Sequence, residues 1–163
     1  MTLNLDIFGL TGMKIRNNTS KCLVGLLPHK PEVNGFSILS SSNSETVLNI
    51  FRETNLSWTS QNEAVSWIRI RSPRAIRIWS VGLHGADVNA DTVYNITIGG
   101  TNDDSVFKVI STQTCRLMDE YSVLDIDNDT IPAYRMISIE FRTGGRSTTR
   151  VCLKKLQLFV YNE

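Results

Sequence analysis

The side chains best suited to catalysis are few and widely separated in this 163-residue sequence. Its histidines are His29 and His84, and no nucleophile, metal-binding or phosphate-binding motif accompanies either of them. Closely spaced carboxylates, such as Asp125 and Asp127, stand in turn-like sequence, where they are usually solvated rather than paired for glycoside hydrolysis. We therefore predict that the protein is not an enzyme, has no catalytic residues and uses no cofactor.

Arginines are concentrated in one short stretch, at Arg69, Arg71, Arg74 and Arg77. On alternating strands they would point away from the neighbouring isoleucines, so we predict a basic outer face formed by Arg69, Arg71 and Arg77 with Trp79. Such a face would suit an acidic polysaccharide or a phosphate backbone, with Trp79 as a stacking platform. The alternative is a solvated sheet face paired with neighbouring acids, or a contact with another subunit.

The overall charge and composition exclude several classes of protein. Hydrophobic residues make up 41% and charged residues 20% of the chain, which is ordinary for a globular domain, and the net charge of +1 argues against a nucleic-acid binder. The first residues include no basic region, so we expect no signal peptide, and no apolar run is long enough for a membrane span. Cys22, Cys115 and Cys152 form no metal-binding spacing, and we expect free buried thiols.

The elements that must position these residues are short strands. Residues 67–71 and 75–79 alternate apolar with polar or long side chains, which is typical of half-buried strands, and Pro73 lies in the connection between them. Similar runs predict strands at 35–39, 93–99, 106–110, 134–141 and 151–161, with residues 47–51 as a short turn or strand and residues 82–90 as a long polar loop. We expect Trp58 and Trp67 to pack in the core. This series of short strands predicts an all-β sandwich or barrel.

The first 34 residues differ in pattern from the remainder of the chain. One alternating stretch at residues 3–7 predicts a short strand, while Pro28 and Pro31 discourage both helix and central strand near the end of the segment. We predict that residues 1–34 form an N-terminal extension that packs along the main domain, residues 35–163, or holds it to a larger assembly.

Six stretches in this order resemble discoidin-type (F5/8 type C) domains of the galactose-binding-like superfamily. They are residues 35–42, 58–60, 67–70, 96–103, 134–137 and 153–159. The resemblance implies a jelly-roll β-sandwich whose loops at one end bind a glycan or a membrane headgroup. The first three stretches are also similar to modules on the appendages of tailed bacteriophages.

The resemblance places the expected ligand-binding residues in loops. A sugar site needs a flat apolar surface together with side chains that donate to and accept from hydroxyl groups. The loops that carry such side chains contain Gln61, Asn62, Glu63, His84, Asp87, Asn89, Asp119, Glu120, Tyr121 and Arg146. From these we select Asn62, Glu63, His84, Asp87, Asn89, Tyr121 and Arg146 as the predicted ligand-binding set.

The sequence departs from the family pattern at a calcium site that many bacterial relatives hold. Residues 51–55 read Phe-Arg-Glu-Thr-Asn where an acidic turn is usual, and Lys155 stands where the last strand usually provides a glutamate. Because calcium needs oxygen ligands, we predict that the protein binds no metal there.

Together these features predict a non-catalytic module that binds cell-surface glycans as a component of a phage virion, made in the host cytoplasm. Its partners would be a polysaccharide and other virion proteins contacted through the N-terminal extension, and a homo-oligomer is compatible with this role. The alternative is a structural virion protein that uses the sandwich as a scaffold for subunit contacts.

Overall fold

A computed structural model describes residues 21–23, 35–51, 54–86, 92–126 and 130–161, the first of these ranges by its backbone alone. The described residues form ten strands and one short 3₁₀ helix, Val47–Phe51. The strands are β1 (Lys21–Leu23), β2 (Ser37–Ser40), β3 (Trp58–Thr59), β4 (Ser66–Ile76), β5 (Ile78–Gly85), β6 (Val93–Thr101), β7 (Lys108–Arg116), β8 (Tyr121–Asp125), β9 (Tyr134–Thr143) and β10 (Cys152–Tyr161).

The strands form two antiparallel sheets that enclose one core. The first sheet has the order β1-β10-β5-β8, with β3 also paired to β10, and the second has the order β2-β4-β9-β6-β7. Apolar side chains from the inner faces of both sheets form a single cluster, as in a β-sandwich. Its largest fully buried side chains are Trp58, Tyr94, Phe51 and Phe141. The predicted all-β sandwich is therefore confirmed.

Strand β4 is longer than the sequence indicated. We expected one strand to end before Pro73 and another to follow at 75–79, but β4 runs through Pro73 to Ile76 and β5 belongs to the other sheet. Pairing of β4 with β9 shifts register between Arg71 and Ile76, and β2 pairs only as far as Arg71. Proline lacks a backbone donor, so it is tolerated within this bulge, where no ladder hydrogen bond is required of it.

The predicted polar loop at 82–90 is wrong in its first half. Strand β5 continues to Gly85 because Val81 and Leu83 both point into the core, where they are 0% exposed. This strand is paired on both sides, with β10 and with β8. Consequently His84 lies on the outer face of the first sheet rather than in a loop. Residues 87–91 lie outside the described part of the chain.

Several connections meet at one end of the sandwich, which we call the loop-rich end. In the first sheet, Gly85 at the end of β5 is paired with Leu153 near the start of β10. The segment between β9 and β10 reaches across to the segment between β3 and β4 through an isolated bridge, Glu63 with Thr149. The first residues of β4, β6 and β8 therefore lie at the same end as the last residues of β2, β5 and β9.

The two tryptophans expected in the core have different positions. Trp58 is fully buried, and its indole nitrogen donates to the carbonyl of Ser42 at 3.0 Å, so its predicted position is confirmed. Trp67 is not a core residue. It alternates with the buried Ser66 and Ile68 along β4 and therefore lies on the outer face of the second sheet.

One side of the sandwich is bridged by a side chain. Strands β7 and β8 end their respective sheets, and Gln113 of β7 donates from its Nε2 to the main-chain oxygen of Asp125 at 2.7 Å. The same nitrogen donates to Ser111 Oγ at 3.0 Å. Gln113 thereby links the edges of the two sheets.

Most of the predicted N-terminal extension, including the strand expected at 3–7, lies outside the described residues. Its strand β1 pairs antiparallel with the end of β10, so this part is joined to the first sheet by main-chain hydrogen bonds. Cys115 and Cys152 are present as thiols, without a disulfide among the described residues. In the same part of the chain, no helix is long and apolar enough to cross a membrane.

Candidate functional site

A compact group of charged and aromatic side chains lies at the loop-rich end, on the outer face of the first sheet. His84 of β5 and Tyr121 of β8 are directly opposite in the sheet, and their rings meet edge to face with 5.3 Å between centroids. Asp119 and Lys154 complete the group. We call these four residues the His84–Tyr121 cluster.

Asp119 connects His84 and Lys154 within the cluster. Its Oδ1 accepts hydrogen bonds from His84 Nε2 at 2.8 Å and from Lys154 Nζ at 2.7 Å. An ionised carboxylate can only accept, so Nε2 carries the proton and Nδ1 of a neutral His84 is left as an acceptor. The hydrogen bond from Lys154, followed by that from His84, lowers the pKa of Asp119. The carboxylate therefore stays ionised into weakly acidic solution.

Gly85 allows this carboxylate to reach the histidine. The turn between β7 and β8 packs its backbone against the end of β5, and a Cβ at Gly85 would collide with the Leu117 carbonyl group. Leu117 itself is 0% exposed and belongs to the core. Because the turn is anchored there, Asp119 lies beside His84, the residue that precedes the glycine.

Tyr121 provides the exposed ring of the cluster. It is 46% exposed, and a Cβ added at Gly82 would come within 3.2 Å of its ring, so the glycine leaves room for the ring over the strand. Partial burial raises the pKa of Tyr121 to about 12. Its hydroxyl is therefore neutral and able to donate at physiological pH.

Three polar atoms of the cluster have no protein partner among the described residues. They are Oδ2 of Asp119, Nδ1 of His84 and the hydroxyl of Tyr121. Together they offer two acceptors and one group that can donate or accept, all close to an exposed aromatic ring. This is the chemistry that a sugar needs, because each sugar hydroxyl both donates and accepts while the ring carbons present an apolar face.

The other predicted ligand-binding residues are placed differently. Glu63 accepts hydrogen bonds from the hydroxyls of Ser41 at 2.5 Å and Ser42 at 2.8 Å, so it organises the serine-rich loop. Asn62 and Arg146 are exposed, in the two segments joined by the bridge from Glu63 to Thr149. Asp87 and Asn89 lie outside the described residues. Of the predicted set, the structure brings His84 and Tyr121 into contact.

The predicted basic outer face is not a single surface. Arg69 and Arg71 lie on β4 of the second sheet, whereas Arg77 precedes β5, which belongs to the first sheet. Arg77 stacks on Tyr161 with 4.0 Å from its guanidinium carbon to the ring centroid. Trp79 is 3% exposed and packs against Phe159, so the expected stacking platform is wrong.

The sequence-based selection omitted Asp119 and Lys154. Asp119 belongs to the predicted loop that carries Tyr121, but the residues around it in the sequence do not distinguish it from its neighbours. Lys154 precedes the position compared with the calcium-ligating glutamate, and the register of β10 with β5 shifts between Leu153 and Lys155. Strict alternation along β10 therefore does not predict where the Lys154 side chain lies. The pattern offered no signal for this contact.

The described residues contain no group of three or more histidine, cysteine, aspartate or glutamate side chains that could hold a metal ion. Lys155, at the position compared with the calcium-ligating glutamate, is paired with His84 across the sheet. The predicted absence of calcium binding remains a prediction, and titration calorimetry with calcium would test it.

Solved structures with the same fold include sugar-binding modules of low sequence identity. A family 32 carbohydrate-binding module of NanJ from Clostridium perfringens, in complex with galactose, superposes with a TM-score of 0.61 at 11% identity over 76% of this chain and 93% of that chain. The family 32 module of AlyQ, in complex with 4,5-unsaturated mannuronic acid, gives 0.59 at 13% identity over 76% and 93%.

A third similar structure is the chitosan-binding module 1 of a chitosanase/glucanase from Paenibacillus sp. IK-5. Its TM-score is 0.56 at 13% identity over 75% of this chain and 92% of that chain. No family model and no curated protein sequence matches the chain. At these identities the likeness establishes a shared β-sandwich fold, which is the fold that the discoidin resemblance implied.

Proposed function

We propose that the protein is a non-catalytic carbohydrate-binding module that recognises cell-surface glycans through the His84–Tyr121 cluster. The observation that carries this proposal is the half-exposed ring of Tyr121, surrounded by polar atoms that have no protein partner among the described residues. A sugar ring placed on Tyr121 could hydrogen-bond to Asp119 and His84 at the same time. Similar-fold modules that bind galactose, unsaturated mannuronic acid and chitosan support this class of ligand.

The electrostatics of the cluster favour binding over hydrolysis. A glycosidase needs a carboxyl group whose pKa is raised, so that it can protonate the leaving oxygen. The pKa of Asp119 is instead lowered by its hydrogen bonds from Lys154 and His84. A carboxylate held ionised in this way serves as a hydrogen-bond acceptor for a sugar hydroxyl.

A site of this size would bind weakly, because it presents one exposed aromatic ring and a few polar atoms. Several linked copies would raise the overall affinity without any new contact. This requirement agrees with the second part of our proposal, that the module is displayed on a bacteriophage virion. The bacteriophage-like sequence stretches support that location. The pairing of β1 with β10 would connect the N-terminal extension, and hence its virion partners, to the sandwich.

Glycan binding can be tested with a glycan array followed by titration calorimetry on the strongest ligand. Tyr121→Ala removes the exposed ring, and we expect roughly tenfold weaker binding or more. Val93→Ala is a matched control because Val93 is 40% exposed at the start of β6 in the other sheet, and we expect no change. A wild-type protein that binds no glycan would contradict the proposed function. Unchanged binding by Tyr121→Ala would instead contradict the assigned site.

Mass photometry of the same preparation tests the structural alternative. A stable oligomer that binds no sugar would favour a virion scaffold protein. A monomer or oligomer that binds glycans supports the proposed function, and detection of the chain in purified virions by mass spectrometry would test its location.

A further inference from the structure

The outer face of the second sheet carries an arginine held by two aromatic rings. The guanidinium carbon of Arg69 lies 4.1 Å from the centroid of the Trp67 ring and 4.8 Å from that of Phe107. Trp67 precedes Arg69 by two residues on β4. Phe107 comes just before β7, the strand at the far edge of the same sheet. We call Trp67, Arg69 and Phe107 the Arg69 cluster.

Small residues in the middle of the sheet create the space for this arrangement. Ser138 of β9 is paired with Arg69 on one side and with Gly99 of β6 on the other. A Cβ at Gly99 would lie 3.2 Å from the Cβ of Phe107, which shows that Phe107 lies over the glycine. Arg69 therefore extends across Ser138 to reach Phe107, and Ser138 is only 1% exposed.

The donors of the Arg69 cluster lack acceptors. Among the described residues, the Arg69 guanidinium makes no hydrogen bond or ion pair, and its Nε is buried. The indole nitrogen of Trp67 also has no partner there, whereas those of Trp58 and Trp79 donate to main-chain carbonyls. The hydroxyl of Ser138 is buried and has no partner within the same ranges. A guanidinium, an indole and a hydroxyl at one place are thus left without a hydrogen bond from the described part of the protein.

The neighbouring arginine provides an internal comparison. Arg71 lies two residues further along the same face of β4, and its Nη2 forms an ion pair with Asp104 at 2.7 Å. Its charge is therefore already neutralised within the chain. The rings around Arg69 cover the faces of its guanidinium but leave its terminal N–H groups, on Nη1 and Nη2, unused, and this pair matches a carboxylate.

We propose that the Arg69 cluster is a second glycan contact, which selects sugars that carry a carboxylate. The carboxylate of a hexuronate would accept two parallel hydrogen bonds from Arg69, and the sugar ring would lie against Trp67 and the exposed side chain of Leu39, which is paired with Arg69 on β2. This inference rests on the proposed glycan binding and adds a contact on the opposite sheet.

A discrete acidic sugar fits this surface better than a phosphate backbone does. The residue opposite Trp67 in the sheet is Glu140, and the charge of Arg71 is cancelled by Asp104. Successive phosphates would meet these carboxylates, whereas nucleic-acid binders present a continuous basic surface. One carboxylate needs only one guanidinium.

The test compares trisaccharides of galacturonate and of mannuronate with their methyl esters, which have the same rings but no charge. We expect the wild-type protein to bind at least one acid roughly tenfold more tightly than its ester. Arg69→Gln should abolish that preference while leaving binding of the ester, and Arg69→Lys should retain only part of it, because lysine lacks the planar fork. Arg71→Gln is the matched control and should keep the preference.

NMR on the unmutated protein gives an answer that does not depend on how the variants fold. On addition of the acid, the Nε–H signal of Arg69 and the indole N–H signal of Trp67 should shift, and the ester should leave both unchanged. Unmoved signals, an unchanged preference in Arg69→Gln, or loss of the preference in Arg71→Gln would overturn the inference while leaving the proposed function standing. Self-association that Arg69→Gln disrupts would also overturn it, since the carboxylate would then come from a second copy. A wild-type protein that binds neither form would overturn both proposals.

Discussion

The His84–Tyr121 cluster and the Arg69 cluster contain similar components, an aromatic ring beside a cation, on the outer faces of opposite sheets. In the first, Asp119 accepts from both His84 and Lys154, so the ammonium charge of Lys154 is balanced within the chain. In the second, rings alone surround Arg69, and no carboxylate is paired with it among the described residues. One cluster therefore offers polar atoms for neutral hydroxyls, whereas the other offers an unbalanced positive charge.

The two clusters also depend on different supports. Gly85, below the first, faces the backbone of Leu117, and backbone in a packed turn cannot move aside. Gly99, below the second, faces the Cβ of Phe107 and the Lys108 carbonyl at 3.2 Å, a tight but less severe approach. The first site is thus built on core packing, and the second lies on a more tolerant sheet surface.

Stability measurements should separate the two supports most clearly. Gly85→Ala should lower the free energy of unfolding by about 3 kcal/mol, because the new methyl group overlaps the Leu117 carbonyl. Gly99→Ala should cost about 1 kcal/mol or less, since Phe107 needs to move only a few tenths of an ångström. Urea denaturation of both variants measures the two values. Equal losses would show that the two supports do not differ.

A change of charge should make the first cluster resemble the second. Asp119→Asn keeps the shape of the side chain but removes the charge that balances Lys154. We expect hexuronate binding to strengthen roughly threefold, while binding of neutral sugars weakens by a similar factor. Calorimetry with an acid and its methyl ester measures both. Weaker hexuronate binding together with stronger binding of neutral sugars would mean that Asp119 does not face the ligand.

Quenching of fluorescence should distinguish the three tryptophans. Trp67 lies on an outer face, whereas Trp58 and Trp79 are 0% and 3% exposed. Acrylamide should therefore quench mainly the emission of Trp67, and Trp67→Phe should remove most of the accessible component. The control is Trp79→Phe, which should leave that component in place. Loss of the quenchable component in Trp79→Phe would contradict the assignment of Trp67 as accessible and Trp79 as buried.

The smallest expected effect concerns the ionisation of the Tyr121 hydroxyl in the first cluster. Burial penalises the phenolate of Tyr121, so its pKa of about 12 lies above the ordinary value of 10.0. The stability that this group contributes to the fold is therefore complete below pH 10 and declines as the pH rises toward 12. A spectrophotometric titration should show this late ionisation, and Tyr121→Phe should remove it. The pKa of Tyr94 is also raised by burial and would remain raised in that variant. A Tyr121 that ionises near pH 10 would contradict the partly buried hydroxyl.

The sequence was most informative where one face of a strand is buried. Alternation at β4 and β6 predicted strands because residues such as Ile68, Ile96 and Ile98 must leave water together. The same rule places Trp67 on the face opposite to Ile68, so the prediction of a core position for Trp67 failed because it did not follow this period. The alternation therefore predicts the strands correctly, and it also indicates that Trp67 of the Arg69 cluster lies on an outer face.

The site was harder to predict because its contacts are distant along the chain. Asp119 and His84 are 35 residues apart in sequence, as are Lys154 and Asp119, and only the pairing of β5 with β8 and β10 brings them together. The predicted outer-face position of Trp79 is wrong for a related reason. The chain changes sheet between Ile76 and Ile78, so the arginines before and after this point cannot share a face.

The link that Gln113 makes between the two sheet edges has a consequence for crowding. Unpaired edge strands can recruit strands from other molecules, which leads to aggregation when copies are packed closely. By donating to the last carbonyl of β8, Gln113 occupies an edge position that a foreign strand would otherwise use. Lysine and arginine at the two ends of β7 discourage such pairing further. Many copies could therefore stand side by side on one particle and still remain separate folded units.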